Sequence, residues 1–241
     1  MAIKRETFVV NIVSNMVIVA VILAVLAVSL VGTGDIAVSS QGKAIYRGDT
    51  SVANVSLMIN VYWGTEYIEP MLDILDEYNV TTTFFVGGSW AAENSEILYM
   101  ISERGHEIGN HGYNHLDHST LNYTENQDEI LVTEKIITTV CGSASSLFAP
   151  PSGAYGDTMF DVCEDLDYTV IMWSKDTIDW RDEDSSLVYT RATTDLMNGD
   201  LILMHPTAHT LEALPSILDY YNNNGFNAVT VSENIASKNI L

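Results

Sequence analysis

Basic residues are scarce: 10 Lys and Arg stand against 32 Asp and Glu in 241 residues, a formal net charge of −22. Such a surface repels phosphate backbones, which argues against DNA and RNA as partners. The same field disfavours anionic lipid and phosphate-rich polymers and leaves neutral or cationic polymers, glycans among them, as the easier ligands. Cysteine is almost missing. Cys141 and Cys163 are the only two, and with no C-x-x-C pair they carry neither a zinc nor a dithiol-redox signature. They are expected to be two separate thiols or simple core residues. No internal repeat or low-complexity run is present. What is there, 47% hydrophobic and 9% aromatic residues, sustains a packed core at a length that needs no covalent staples.

The first 34 residues have a different character. Lys4 and Arg5 precede a stretch from Thr7 to Gly34 without a charged side chain, and its centre, Val17 to Val31, is almost wholly Val, Ile, Leu and Ala. A bilayer-crossing helix needs about 20 apolar residues, whereas a cleaved signal has about 7–15 followed by a small-residue site. The expectation is a cytoplasmic N-terminus over 1–8, a transmembrane signal anchor over 9–31 and a linker over 32–52. A domain over 53–241 then lies outside the cell membrane, because the basic residues precede the helix. A cleaved signal peptide is the alternative.

From Val55 the chain alternates strand-like and helix-like segments. Val55–Asn60 reads as a buried strand, and Ile68, Met71, Leu72 and Leu75 recur at helical spacing. Thr82–Val86, His106–Asn110, Ser146–Ala149, Tyr168–Trp173, Asp200–His205 and Ala228–Val231 read as further strands with helices between them. Thr124 and Gln127 suggest a capping box for the helix that runs to about Val140. Seven or so β–α units in series predict a parallel sheet, most naturally a distorted (β/α) barrel with an open doubly wound sheet as the alternative. Functional residues then belong at the C-terminal strand ends.

All six histidines fall in two windows: His106, His111, His115 and His118 in one, His205 and His209 in the other. His111 and His115, four apart after a short strand, have the spacing with which two imidazoles grip one cation. His205 closes the strand-like run Leu201–His205. His118 and His209 read as solvent-facing or supporting residues.

On these residues the sequence resembles the polysaccharide deacetylase (NodB-homology) family, from about Ala44 to the C-terminus. The segments that carry the likeness are Tyr78–Val86, Gly105–His115, Asp176-Thr-Ile-Asp179-Trp180 and Leu203-Met-His205. Leu57–Gly64, with its Trp63-Gly64, looks closest to the sporulation-type branch. The resemblance implies metal-assisted removal of acetyl groups from an N-acetylated glycan, peptidoglycan or chitin-like, with a divalent metal, usually zinc, held by one aspartate and two histidines. His111 and His115 match the metal histidines, His205 the general acid and Asp179 the carboxylate that orients it. Leu203 matches the acetyl-pocket residue. Trp180 matches the residue packing beside that carboxylate, Trp63 belongs to the Trp-Gly after the first motif, and Pro151 and Ser152 lie in the groove-forming third motif; all four are expected to bind substrate.

The first and third motifs depart from the pattern. Asn60 stands where the resemblance places the base aspartate, Val61 where it places the metal-binding aspartate, and Ala149 where an arginine pairs with the base. An amide takes no proton at neutral pH and a valine has no donor atom. The metal is therefore expected to be weakly held or absent unless Glu66 or Asp117 supplies a third ligand, and both read more simply as exposed acids. Two functions follow: a membrane-anchored wall-glycan deacetylase with a rebuilt site, or a glycan-binding pseudoenzyme that keeps the groove.

Overall fold

The structure, a computed structural model, describes residues 44–236. The expected transmembrane span and most of the linker lie outside the described residues. Among the described residues no helix is long and apolar enough to cross a membrane.

Nine strands form one curled sheet: β1 (Ala44–Ile45), β2 (Asn54–Val61), β3 (Thr83–Val86), β4 (Glu107–Asn110), β5 (Leu147–Phe148), β6 (Thr169–Ile171), β7 (Lys175–Asp176), β8 (Leu201–Met204) and β9 (Asn227–Ala228). Their order is β1-β6-β5-β4-β3-β2-β8-β7, with β9 added to β2, and every named pair is parallel. β1 and β7 end the path unpaired with each other, so the barrel is open, a half-barrel of parallel strands. The helices are α1 (Thr65–Glu77), α2 (Gly88–Glu93), α3 (Ser95–Glu103), α4 (Tyr123–Cys141), α5 (Asp157–Asp165), α6 (Ser185–Thr193), α7 (Ala208–Asn223) and α8 (Val231–Ala236), with a 3-10 turn at Pro151–Gly153.

Three details correct the sequence reading. The end of the expected linker is already sheet, because Ala44 and Ile45 pair with Val170 and Ile171. The capping box on α4 is Asn122 with Glu125, not Thr124 with Gln127: the Asn122 side chain accepts from the Glu125 N–H while Glu125 accepts from the Asn122 N–H. Val231 opens a helix and does not end a strand.

Side-chain alternation along β2 sorts the layers. Val55, Leu57, Ile59 and Val61 join Ile68, Met71, Leu72 and Leu75 of α1 in the outer apolar cluster, between sheet and helices. Met58 faces the other way and packs with Phe85, Leu147, Ala149 and Ile171 inside the half-barrel. β3 repeats the pattern, with Phe84 and Val86 outward and Phe85 inward. Fully burying each such side chain stabilises the fold by about 1.5–3 kcal/mol, so a one-residue slip of β2 would exchange the two layers. The thiols are free: Cys163 is buried, which pushes it up to about 12, and Cys141 is half-buried.

Candidate functional site

The parallel strands bring their C-terminal ends to one rim, and polar residues sit one step beyond four of them: Tyr62 after β2, His111 after β4, Thr177 after β7 and His205 after β8. Inside this rim lies a cavity of about 360 Å³. It is lined by Asn60, Trp63, His111, His115, Ser152, Trp180, Leu203 and His205, all anticipated from sequence, and by Tyr62, Trp173 and Asp176, which were not. A larger open groove of about 570 Å³ runs between α6 and α7 and contains none of these residues.

The His111–His115 loop is held from three sides. The His111 N–H donates to Val86 O, and the Gly88 and Ser89 N–H groups donate to the carbonyls of Gly112 and Tyr113. Glu129 of α4, 6% exposed, accepts the N–H groups of Tyr113 and Asn114. Gly112 at φ 71° and His115 at φ 55° make the turn. His111 Nδ1 lies 2.7 Å from Ala149 O. A carbonyl only accepts, so Nδ1 carries the proton and Nε2 keeps its lone pair, the tautomer of a metal ligand. Burial pushes His111 down to about 3 and lowers His115 as well. Both rings, 5.2 Å apart between centroids, are neutral at neutral pH.

A metal nevertheless finds two imidazoles and no third ligand among the described residues. Among the described residues no three His, Cys, Asp or Glu side chains converge tightly enough to hold one. Val61 is fully buried in the outer apolar cluster. Glu66 and Asp117 are exposed and away from the cavity wall, and Asp117 is engaged by the Ser119 N–H and hydroxyl. Catalytic zinc takes three protein ligands plus water, and these residues do not fit it.

The opposite wall is intact. His205 Nδ1 lies 2.8 Å from Asp179 Oδ1, and the His205 N–H and Thr210 hydroxyl donate to Asp179 Oδ2 at 2.6 and 2.5 Å. Thr207 Oγ1 donates onward to Thr210 Oγ1. Asp179 is therefore a fully bonded, buried carboxylate behind the cavity, and His205 in its neutral form presents Nε2 forward. Trp63 stacks on His205 at 5.7 Å with 9° between planes. Trp63 and Trp180 are 44% and 55% exposed, so the mouth is aromatic. Leu203 is 4% exposed on the wall, and Pro151 is buried behind Ser152, whose φ is 54°. His118 is not solvent-facing: it is fully buried and Nδ1 bonds Asn126 Oδ1 beneath the His111–His115 loop. His209 is half-buried and off the cavity wall.

Two further positions carry side chains with neither charge nor a titratable group. Asn60 is 4% exposed, and among the described residues its Oδ1 has no hydrogen-bond partner. Ala149 is fully buried among Met58, Phe85 and Ile171, where an arginine without a partner acid would cost about 3–5 kcal/mol. Asp176 stands in the Asp176–Trp180 segment that carries the family likeness, yet nothing in its own spacing gives it a role. It ends a two-residue strand, and only the pairing of β7 with β8, Asp176 against Leu203, turns it toward His205.

The polysaccharide deacetylase family model matches residues 47–171. The uncharacterized protein YlxY of Bacillus subtilis (strain 168) is 38% identical over 195 residues, 81% of this chain and 61% of that protein. The chain thus spans less than two thirds of that relative's length. A peptidoglycan-N-acetylglucosamine deacetylase of Bacillus cereus is 30% identical over 173 residues, covering 69% of this chain and 81% of that enzyme. The crystal structure of a CE4 family pseudoenzyme from Bacillus anthracis superposes with a TM-score of 0.77 at 35% identity, over 79% of this chain and 68% of that one. A mutant of that pseudoenzyme, described as having restored enzymatic activity, matches with the same TM-score at 34% identity.

Proposed function

The chain belongs to the polysaccharide deacetylase family, and we propose that this member binds a hexosamine glycan of the peptidoglycan or chitin-like kind without cleaving its amide. The observation that carries the reading is the coupled loss at one site: an amide at the base position and a valine, packed into the core, at the metal position. A positioned base contributes about 10²–10⁴ in rate, and a two-histidine site gives a metal no hold comparable to a three-ligand one. The retained cavity, with aromatic residues at its mouth and Leu203 on its wall, is the geometry of a sugar-binding cleft. Likeness to a pseudoenzyme, and to its variant with restored activity, supports the same reading.

The Asp179–His205 pair with its threonine relay favours a second reading, hydrolysis at a rebuilt site. Metal content and acetate release by the full chain decide between them. The binding reading expects sub-stoichiometric zinc and no acetate from chito-oligosaccharide or peptidoglycan. It also expects chito-oligosaccharide binding that weakens in Trp63→Ala and Trp180→Ala. Release appears only when Asn60→Asp, Val61→Asp and Ala149→Arg are combined. Stoichiometric zinc that His111→Ala removes, together with acetate release by the unaltered chain, would establish the enzyme instead.

The apolar run before Gly34, with Lys4 and Arg5 ahead of it, supports a location on the outer face of the cell membrane. Alkaline extraction that frees the protein from membranes, or protection of residues 53–241 from protease added outside spheroplasts, contradicts that placement.

A further inference from the structure

We propose that the cavity recognises the free ammonium group of a de-N-acetylated hexosamine in preference to the acetamido group. This rests on the glycan-binding reading and specifies which form of the sugar is bound.

The lining is rich in acceptors and carries one formal charge, that of Asp176, with no lysine or arginine on the wall. Asp176 Oδ1 accepts the Ile178 N–H, and burial raises its carboxyl above the usual range. The nearby guanidiniums are committed elsewhere. Arg191 bonds Asp182 and the Thr177 carbonyl, and Arg181, which lies over Trp180 at 5.9 Å, is gripped by both Asp182 oxygens. Asn60, more than nine-tenths buried on the same wall, holds an amide oxygen with no partner among the described residues. Its amide can turn end for end, so either atom can meet a ligand. His111, with Nδ1 engaged by the Ala149 carbonyl, offers its Nε2 lone pair.

Four aromatic rings, Tyr62, Trp63, Trp173 and Trp180, share this wall with the acid. Aromatic faces with a carboxylate and neutral acceptors form the setting in which an ammonium is bound by charge, hydrogen bonds and cation–π attraction together. An acetamido group brings no charge to Asp176, and its carbonyl adds an acceptor to a wall already full of them. The surface charge of −22 draws cationic ligands toward the molecule at low salt, so the test is set at physiological salt, where that pull is screened.

The full chain in neutral detergent is titrated calorimetrically with the glucosamine tetramer and the N-acetylglucosamine tetramer at mildly acidic pH, where the sugar amines are protonated. The expected result is binding of the amino form about tenfold tighter or more, equivalent to ~1.4 kcal/mol. That preference should be lost in Asp176→Asn, kept in Asp176→Glu, and unchanged in Glu212→Gln, which removes the same charge from an exposed site on α7. Equal or tighter binding of the acetylated tetramer, still weakened by Trp63→Ala, overturns this inference and leaves the glycan-binding reading standing. An equal loss in Glu212→Gln reduces the preference to bulk charge and also overturns it. Binding of neither tetramer overturns the glycan-binding reading and this inference with it.

Discussion

Removing the Glu129 carboxylate should cost far more than neutralising it, and the difference can be worked from the bonds it makes. Glu129 Oε2 accepts two backbone N–H groups, of Tyr113 and Asn114, both at 2.8 Å, and Oε1 accepts the Asn114 side-chain amide at 3.0 Å. Hydrogen bonds to a charged partner contribute about 1.5–3 kcal/mol each, and a buried donor left unpaired costs about 1–3 kcal/mol. Glu129→Ala strands three donors, one of which can reorient toward water, for an expected loss of about 3–5 kcal/mol. Glu129→Gln keeps an oxygen for both backbone donors, while Asn114 can turn its amide to meet the new NH₂. Charge assistance roughly doubles such bonds, so its removal should cost about 1.5–2.5 kcal/mol. Urea unfolding of the full chain followed by tryptophan fluorescence measures both values, and hydrogen exchange at Tyr113 and Asn114 shows whether the loop opens locally. A glutamine variant as unstable as the alanine one, or an alanine variant within about 1 kcal/mol of wild type, would show that Glu129 does not hold the His111–His115 loop.

His106 is buried and pushed down to about 4 from an ordinary 6.5, so the unfolded chain binds its proton first. That contribution to stability is full above about pH 6.5 and falls as pH drops toward 4, by about 2 kcal/mol between pH 7 and 5; His106→Gln should show a correspondingly shallower fall in urea midpoints over that range. Gly64 has φ 75°, and a Cβ there would meet Pro206 O at 2.0 Å. Gly64→Ala should therefore destabilise by about 3 kcal/mol or more, and a thermal midpoint equal to wild type would mean this turn does not couple the end of β2 to the loop after His205. Val61→Asp puts a carboxylate into a closed apolar layer and should cost about 3–5 kcal/mol without metal. Hundredfold zinc excess over its dissociation constant should return about 2.7 kcal/mol if the new acid completes a site, whereas the wild-type midpoint stays put.

The fold was legible because its signals are local and periodic. The apolar run Val55–Asn60 reads as a buried strand and the buried face of α1 follows a spacing of three-to-four, and His111 and His205 follow strand-like runs of the same kind. What escaped was set by the meeting of distant segments. Ala44–Ile45 is too short to read as a strand and exists because β6 offers it an edge. The cap moved from Thr124 to Asn122 because both residues suit the role, and only the chain's approach to α4 selects one. Asp176 enters the cavity through its pairing with β8, and Glu129 reaches the loop from across α4; neither carries a spacing of its own.

Position along β2 also separates the emptied places of the site. Val61 lies on the outward face, where an apolar side chain joins the packing with α1 and contributes about 1.5–3 kcal/mol. Ala149 likewise completes the inward apolar cluster with Met58 and Phe85. Both replacements are what stability alone would choose once the acid and its arginine partner were gone. Asn60 is not. It is as buried as its neighbours and keeps an oxygen with no partner among the described residues, which costs about 1–3 kcal/mol relative to a bonded group. An apolar residue there would have removed that cost and extended the layer begun by Met58. An unsatisfied amide maintained beside Asp176, His111 and His205 is better accounted for by a ligand that satisfies it than by packing. This is why the inner face of β2, and not the outer one, is where the remaining function of the domain should be sought.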